Sequence, residues 1–187
     1  MIDRRACLCG LASFIALPRG AFASEEAAWR ILADGGIAVF RHALAPGTGD
    51  PPGFRLDDCA TQRNLSADGR RQAARIGEAF RSRGIVIGRV LSSQWCRARE
   101  TARIAFGRAE DEPAISSFFA DRSRSAAQTE LARSLVAGWN GSGALILVTH
   151  QVNVTALSGI FPQSGEAVVI RRGGSGPGDV AGRIAFA

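Results

Sequence analysis

The chain has 187 residues, 46% hydrophobic and 21% charged, with a formal net charge of +6, values that fit one globular domain. No apolar run reaches the roughly 18 to 20 residues needed to cross a bilayer, no heptad persists and no unit of 20 to 50 residues recurs, which excludes membrane-spanning, coiled-coil and solenoid architectures. All 23 basic residues are arginine, tyrosine is absent and 22 residues are glycine, a bias of base composition and not of function.

Residues 1–23 carry Arg4 and Arg5, then an apolar stretch from Ala6 to Leu17, then Ala21-Phe22-Ala23. This tripartite order is expected of an export signal peptide cut before Ser24, by the general or the twin-arginine route, leaving a periplasmic or secreted chain 24–187. Neither Cys7 nor Cys9 follows the small residues that a lipoprotein site needs, so no stable membrane insertion is expected. Cleavage lowers the net charge to +4, and the remaining arginines are scattered with few aromatics between them, so no nucleic-acid partner is expected. Only Cys59 and Cys96 then remain. In an oxidising compartment they are expected to form a disulfide, worth roughly 3 to 4 kcal/mol in the chain-entropy model. A zinc site joining them to the two histidines lacks any C-x-x-C or H-x-x-x-H spacing, so neither metal nor cofactor is expected.

A helical pattern from Glu25 to Ala33 stops at Gly35-Gly36 and leads into the apolar strand Ile37 to Phe40. Ala45 to Asn64, rich in Gly, Pro and Asp, reads as a long loop, after which Ser66 caps a helix to about Arg83. A strand over Val86 to Leu91 and a helix over Trp95 to Phe106 follow. The Glu110-Asp111-Glu112 run reads as solvated surface, and a strand is expected near Ser117 to Phe119. A helix from about Ala127 to Gly138 precedes Ala144 to Val148, whose continuous apolar character is that of a parallel strand covered on both faces. A helix from Val152 to Leu157 and strands at Ala167 to Ile170 and Val180 to Phe186 complete the chain. Strands alternating with helices predict an α/β fold, a three-layer α/β/α sandwich on a mostly parallel sheet, with no internal domain boundary.

The chain's two histidines, His42 and His150, each stand just after a predicted core strand. Ligands of open α/β sheets bind beyond the carboxyl ends of the strands, so both imidazoles are expected at one rim. Arg97, which opens the helix after Ser92-Ser93, can reach the same rim, and arginine beside a helix N-terminus suits a phosphate dianion.

These residues carry a resemblance. VFRHALAPGTGDP resembles the R-H-G signature of the histidine phosphatase superfamily, in its phosphoglycerate mutase-like branch 1. SSQWCRARETA looks like that family's arginine block, and LILVTHQ is similar to its second-histidine strand. With CATQRNLSADGRRQA the likeness spans the whole mature chain, although Ala43 stands where the family usually has glycine, a variation that also looks like the bacterial phosphohistidine phosphatase branch. The resemblance implies a metal-independent phosphatase. His42 would attack phosphorus and form a phosphohistidine, and Arg41, Arg97 and His150 would hold the phosphoryl oxygens. A carboxylic acid is expected to protonate the leaving group, and Asp121 is favoured for it over Glu130 and the run at 110–112.

Thr48, in a Pro46-to-Asp50 loop that lacks the lysine of a P-loop, is expected to touch substrate at the pocket mouth, and Asn153 to hydrogen-bond substrate or cap a helix. The expected substrate is a small phosphorylated molecule or glycan. Export favours a phosphorylated envelope sugar or lipopolysaccharide core. Competing readings are a phosphohistidine protein phosphatase and a binding module that recognises phosphate without turning it over.

Overall fold

A computed structural model describes residues 20–186. Of the expected signal segment only the stretch from Gly20 falls inside it, as the start of the first helix, and the rest lies outside the described residues. The helices are α1 (Gly20–Ala33), α2 (Ala67–Ser82), α3 (Cys96–Phe106), α4 (Ser125–Ala137) and α5 (Gln151–Ser158), and the strands are β1 (Ile37–Arg41), β2 (Ile87–Ser92), β3 (Glu110–Asp111), β4 (Ala144–Thr149), β5 (Ala167–Ile170) and β6 (Val180–Ile184). The strands form one sheet in the order β3-β2-β4-β1-β5-β6. Pairs β3/β2, β2/β4 and β4/β1 are parallel, while β1/β5 and β5/β6 are antiparallel.

Alternation along the strands divides the core. Ala38, Phe40, Val90, Ile146 and Val148 face α1, α2 and α3, against Trp29, Leu32, Ile76, Phe80 and Ala102. Ile37, Val39, Leu91, Leu145 and Leu147 face α4 and α5, against Ala132, Val136, Val154 and Leu157. Because β4 is flanked by strands on both edges and helices on both faces, all six of its residues are buried, which its unbroken ALILVT sequence demands. Helices thus cover both faces of a mostly parallel sheet, the three-layer α/β architecture that the element order predicts.

Local chemistry sets the element ends. The Ser66 hydroxyl accepts the Gly69 N–H at 3.0 Å and starts α2. Gly107 and Gly159, both in the left-handed region, end α3 and α5. At Gly77 the backbones of α2 and α3 pass so closely that a Cβ would lie 2.2 Å from the Ala105 carbonyl oxygen.

One stretch differs from expectation. No strand forms at Ser117 to Phe119. Glu110–Asp111 instead pairs with β2 as a charged edge strand, and a 3-10 turn follows at Pro113–Ile115. Arg89 holds Glu110 and Arg99 holds Asp111 across that edge, so ion pairs and backbone register build the strand without any apolar alternation.

Candidate active site

The carboxyl ends of β1, β2 and β4 meet at one rim. The His42 N–H donates to the Thr149 carbonyl at 2.9 Å, and the Ser93 N–H donates to the Val148 carbonyl at 2.9 Å. This ladder brings His42 and His150 edge to face at the base of a cavity of about 510 Å³. Arg41, Arg63, Arg97, Asp50, Thr48 and Trp95 also line it.

His42 is buried, and its Nδ1 lies 2.8 Å from the Ala43 carbonyl oxygen. A carbonyl only accepts, so Nδ1 carries the proton and the Nε2 lone pair faces the cavity, where it accepts the Arg97 Nε–H at 3.2 Å. His150 is fixed from behind by the Ser93 hydroxyl, 2.7 Å from its Nε2, and Trp95 packs edge-on against its ring. Burial, then the charge of Arg97, hold His42 well below the ordinary imidazole value. Burial, then His42 and Arg97, do the same to His150. Both imidazoles are therefore neutral.

The cations come from three elements. Arg41 ends β1, donates to the Pro162 carbonyl through Nη1, and keeps a buried Nε with no protein partner. Arg97, in the first turn of α3, is 3% exposed. Arg63 reaches in from the long loop, donating to the Gly49 carbonyl at 2.7 Å and to the Ala45 carbonyl. Burial and the neighbouring Arg97 lower Arg63 to about 10, so it stays charged at neutral pH. The N-terminus of α5 opens on the same space: His150 is its N-cap residue and makes no side-chain capping bond, and Gln151 and Val152 line the cavity. Three guanidiniums and a helix N-terminus around one neutral imidazole lone pair have the charge and the donors that suit a tetrahedral oxyanion.

The Cys59–Cys96 disulfide forms, with Cα atoms 5.7 Å apart. It ties the long loop to the residue before Arg97, and the Gln62 side chain accepts the Cys96 N–H at 3.0 Å beside it.

Two residues singled out in the sequence lie elsewhere. Asp121 is exposed and outside the cavity lining, because its carboxylate caps the 3-10 turn at Arg122–Arg124 by accepting from the Ser123 N–H and hydroxyl. Its short side chain is committed to its own loop. Asn153 is buried beneath the rim, where its Nδ2 donates to the Ser116 carbonyl at 3.0 Å, so it braces α5 and does not line the cavity. Glu130 sits on an outer face of α4, away from the cavity lining. Thr48 does line the mouth.

Sequence reasoning missed Asp50, the single carboxylate in the cavity lining among the described residues. It accepts from Arg97 Nη1 at 2.7 Å and Nη2 at 3.1 Å, from the Arg63 N–H at 3.0 Å and from the Trp95 indole at 3.0 Å. Burial alone would raise its carboxyl, but these four bonds and the Arg97 charge outweigh that and keep it below the usual carboxylate value. Its sequence context, an acid between His42 and Arg63, does not set it apart from Asp57 and Asp58 in the same loop.

Residues 55–128 match the family described as histidine phosphatase superfamily (branch 1), a segment that holds Arg63 and Arg97 but neither histidine. No curated protein matches the chain. A phosphoglycerate mutase from Thermus thermophilus has a similar structure, with TM-score 0.56 and 19% identity over 81% of this chain and 99% of that one. A proposed phosphohistidine phosphatase SixA from Nakamurella multipartitia gives TM-score 0.55 and 14% identity over 82% and 96%. The Rv3214 product of Mycobacterium tuberculosis gives 0.53 and 12% over 82% and 97%. The segment that matches this family model, with Arg63 and Arg97, thus lies in a chain whose fold is similar to that of a phosphoglycerate mutase.

Proposed function

We propose that the protein is a phosphatase that hydrolyses phosphate monoesters through a phosphohistidine at His42. One observation carries the reading: the bond from Nδ1 to the Ala43 carbonyl leaves a lone pair on Nε2 in the middle of three arginines. Arg41, Arg97, His150 and the α5 N-terminus hold the phosphoryl oxygens while Nε2 forms the N–P bond in line and the ester P–O bond breaks. Water then attacks phosphorus, the N–P bond breaks, and inorganic phosphate leaves with His42 neutral again. No metal takes part in this scheme.

Asp50 is held by four donors and does not supply the proton to the departing oxygen. This favours weakly basic leaving groups, and with them the second reading, a phosphatase of phosphohistidine. The N-terminal pattern and the disulfide support export, and export in turn supports a phosphorylated envelope sugar or lipopolysaccharide core as the source of substrate.

The test is hydrolysis of 4-nitrophenyl phosphate in excess chelator, beside His42→Ala, with rapid-quench trapping of the enzyme. Chelator-resistant turnover and an acid-labile, base-stable phosphoenzyme, both lost in the variant, are expected. Phosphate binding without turnover on aryl phosphate or phosphohistidine would leave the protein a binding module and end the phosphatase reading.

A further inference from the structure

Arginine can grip an oxyanion bidentately along two edges: end-on through Nη1 and Nη2, or side-on through Nε and Nη2. In Arg97 the end-on edge is taken. Asp50 Oδ1 and Oδ2 bond Nη1 and Nη2 in parallel, and the Arg63 carbonyl accepts the other Nη1 hydrogen at 3.2 Å. What remains is the side-on edge, and its Nε already points at His42 Nε2. A phosphoryl group presented to that lone pair therefore meets Nε and the outer hydrogen of Nη2. The same carboxylate also sets charge. Arg41, Arg63 and Arg97 bring three positive charges to the cavity, and Asp50 cancels one, leaving the complement of a monoester dianion between two neutral imidazoles.

We propose that Asp50 is a positioning residue that assigns the side-on edge of Arg97 to the reacting phosphoryl group and trims the cavity's charge to match a phosphate-monoester dianion. It does not touch substrate and acts through Arg97. Trp95 and the Arg63 backbone hold the carboxylate from its other sides, so a rotation that freed the end-on edge would break bonds on two further elements. This deepens the phosphatase reading and rests on it for kinetics alone, because oxyanion binding reports on Asp50 independently.

The experiment compares the whole protein with Asp50→Asn and Asp50→Glu. Affinities for inorganic phosphate and for orthovanadate, which adopts five-coordinate geometry against a nucleophilic nitrogen, are measured by calorimetry, beside kcat and KM on 4-nitrophenyl phosphate. The expected result for Asp50→Asn is that phosphate binds as tightly as before or more tightly, the preference for vanadate is lost, and kcat falls by about 10- to 100-fold, the scale of an angstrom-level misplacement. Asp50→Glu recovers part of the vanadate preference. A vanadate preference that survives Asp50→Asn overturns the proposal. So does a loss of both affinities in step with a lowered melting temperature, the signature of a merely structural residue. If the native protein binds both anions yet turns nothing over, the phosphatase reading falls while the binding comparison still judges Asp50.

Discussion

The imidazoles of His42 and His150 stand 5.4 Å apart at 70°, and each is anchored from behind by a different kind of group, a backbone carbonyl for one and a serine hydroxyl for the other. Two neutral rings in contact under three arginines are sensitive to acid in a definite direction. Both folded-state values lie below the ordinary 6.5, so the unfolded chain takes up protons first. Their stabilising contribution is full above about pH 6.5 and is lost as pH falls from there toward the lowered values. The melting temperature is expected to fall by at least about 3 °C between pH 7.5 and 5.5, the equivalent of ~1 kcal/mol in a domain of this size. A flat melting curve over that interval would contradict the neutral assignment.

Ser93→Ala removes the single hydrogen-bond partner of His150 Nε2 in a buried site. An orphaned buried nitrogen costs ~1 to 3 kcal/mol. The loosened ring is also expected to lower kcat/KM by about 10-fold, since positioning of this kind carries a comparable share of the rate. Urea denaturation and steady-state kinetics on one preparation check both. Unchanged stability would mean that water replaces the hydroxyl.

Replacing Cys59 and Cys96 together by serine and alanine opens a cross-link between residues 37 apart. A loss of about 2 to 4 kcal/mol is expected in guanidinium denaturation. Phosphate affinity is expected to weaken as well, because the freed loop carries Asp50 and Arg63 and the bridge ends one residue before Arg97. An unshifted unfolding midpoint would assign the loop's order to the Arg63 and Gln62 bonds alone.

Gly77→Ala tests the close passage of α2 over α3. Its Cβ would meet a backbone oxygen, which cannot rotate away, so the helices must part. The expected cost is ~1 to 3 kcal/mol, despite alanine's better helix propensity, with little change in KM because the contact is remote from the cavity. A stabilised variant would show that the two helices slide freely.

Much of this architecture is legible in the residues. ALILVT announces a strand buried on both faces, and Ser66 and Gly107 mark helix ends, because each signal is local: a period, a cap, a left-handed turn. The meeting of His42 with His150 could be read as well, since both follow core strands of one sheet. Asp50 could not. Its position is fixed by four bonds to residues 13 or more places away, and nothing in PGTGDPPG encodes them. Asp121 misled for the converse reason: a loop acid after an expected strand looks free, yet two positions on lies a serine that it caps. The short strand β3 escaped because its register, not its hydropathy, creates it.

The end of β4 accepts backbone hydrogens from both sides, from His42 through Thr149 and from Ser93 through Val148. The amide of the residue proposed as nucleophile and that of the residue anchoring the second histidine are thus rungs of a strand buried along its whole length. Opening either rung exposes β4. Their hydrogens are expected to exchange with solvent at rates that track global stability, and the amides around Thr48 and Gly49 at the mouth through local fluctuations, a contrast that native-state hydrogen exchange reads directly. On that expectation the base of the cavity and its rim move on separate clocks.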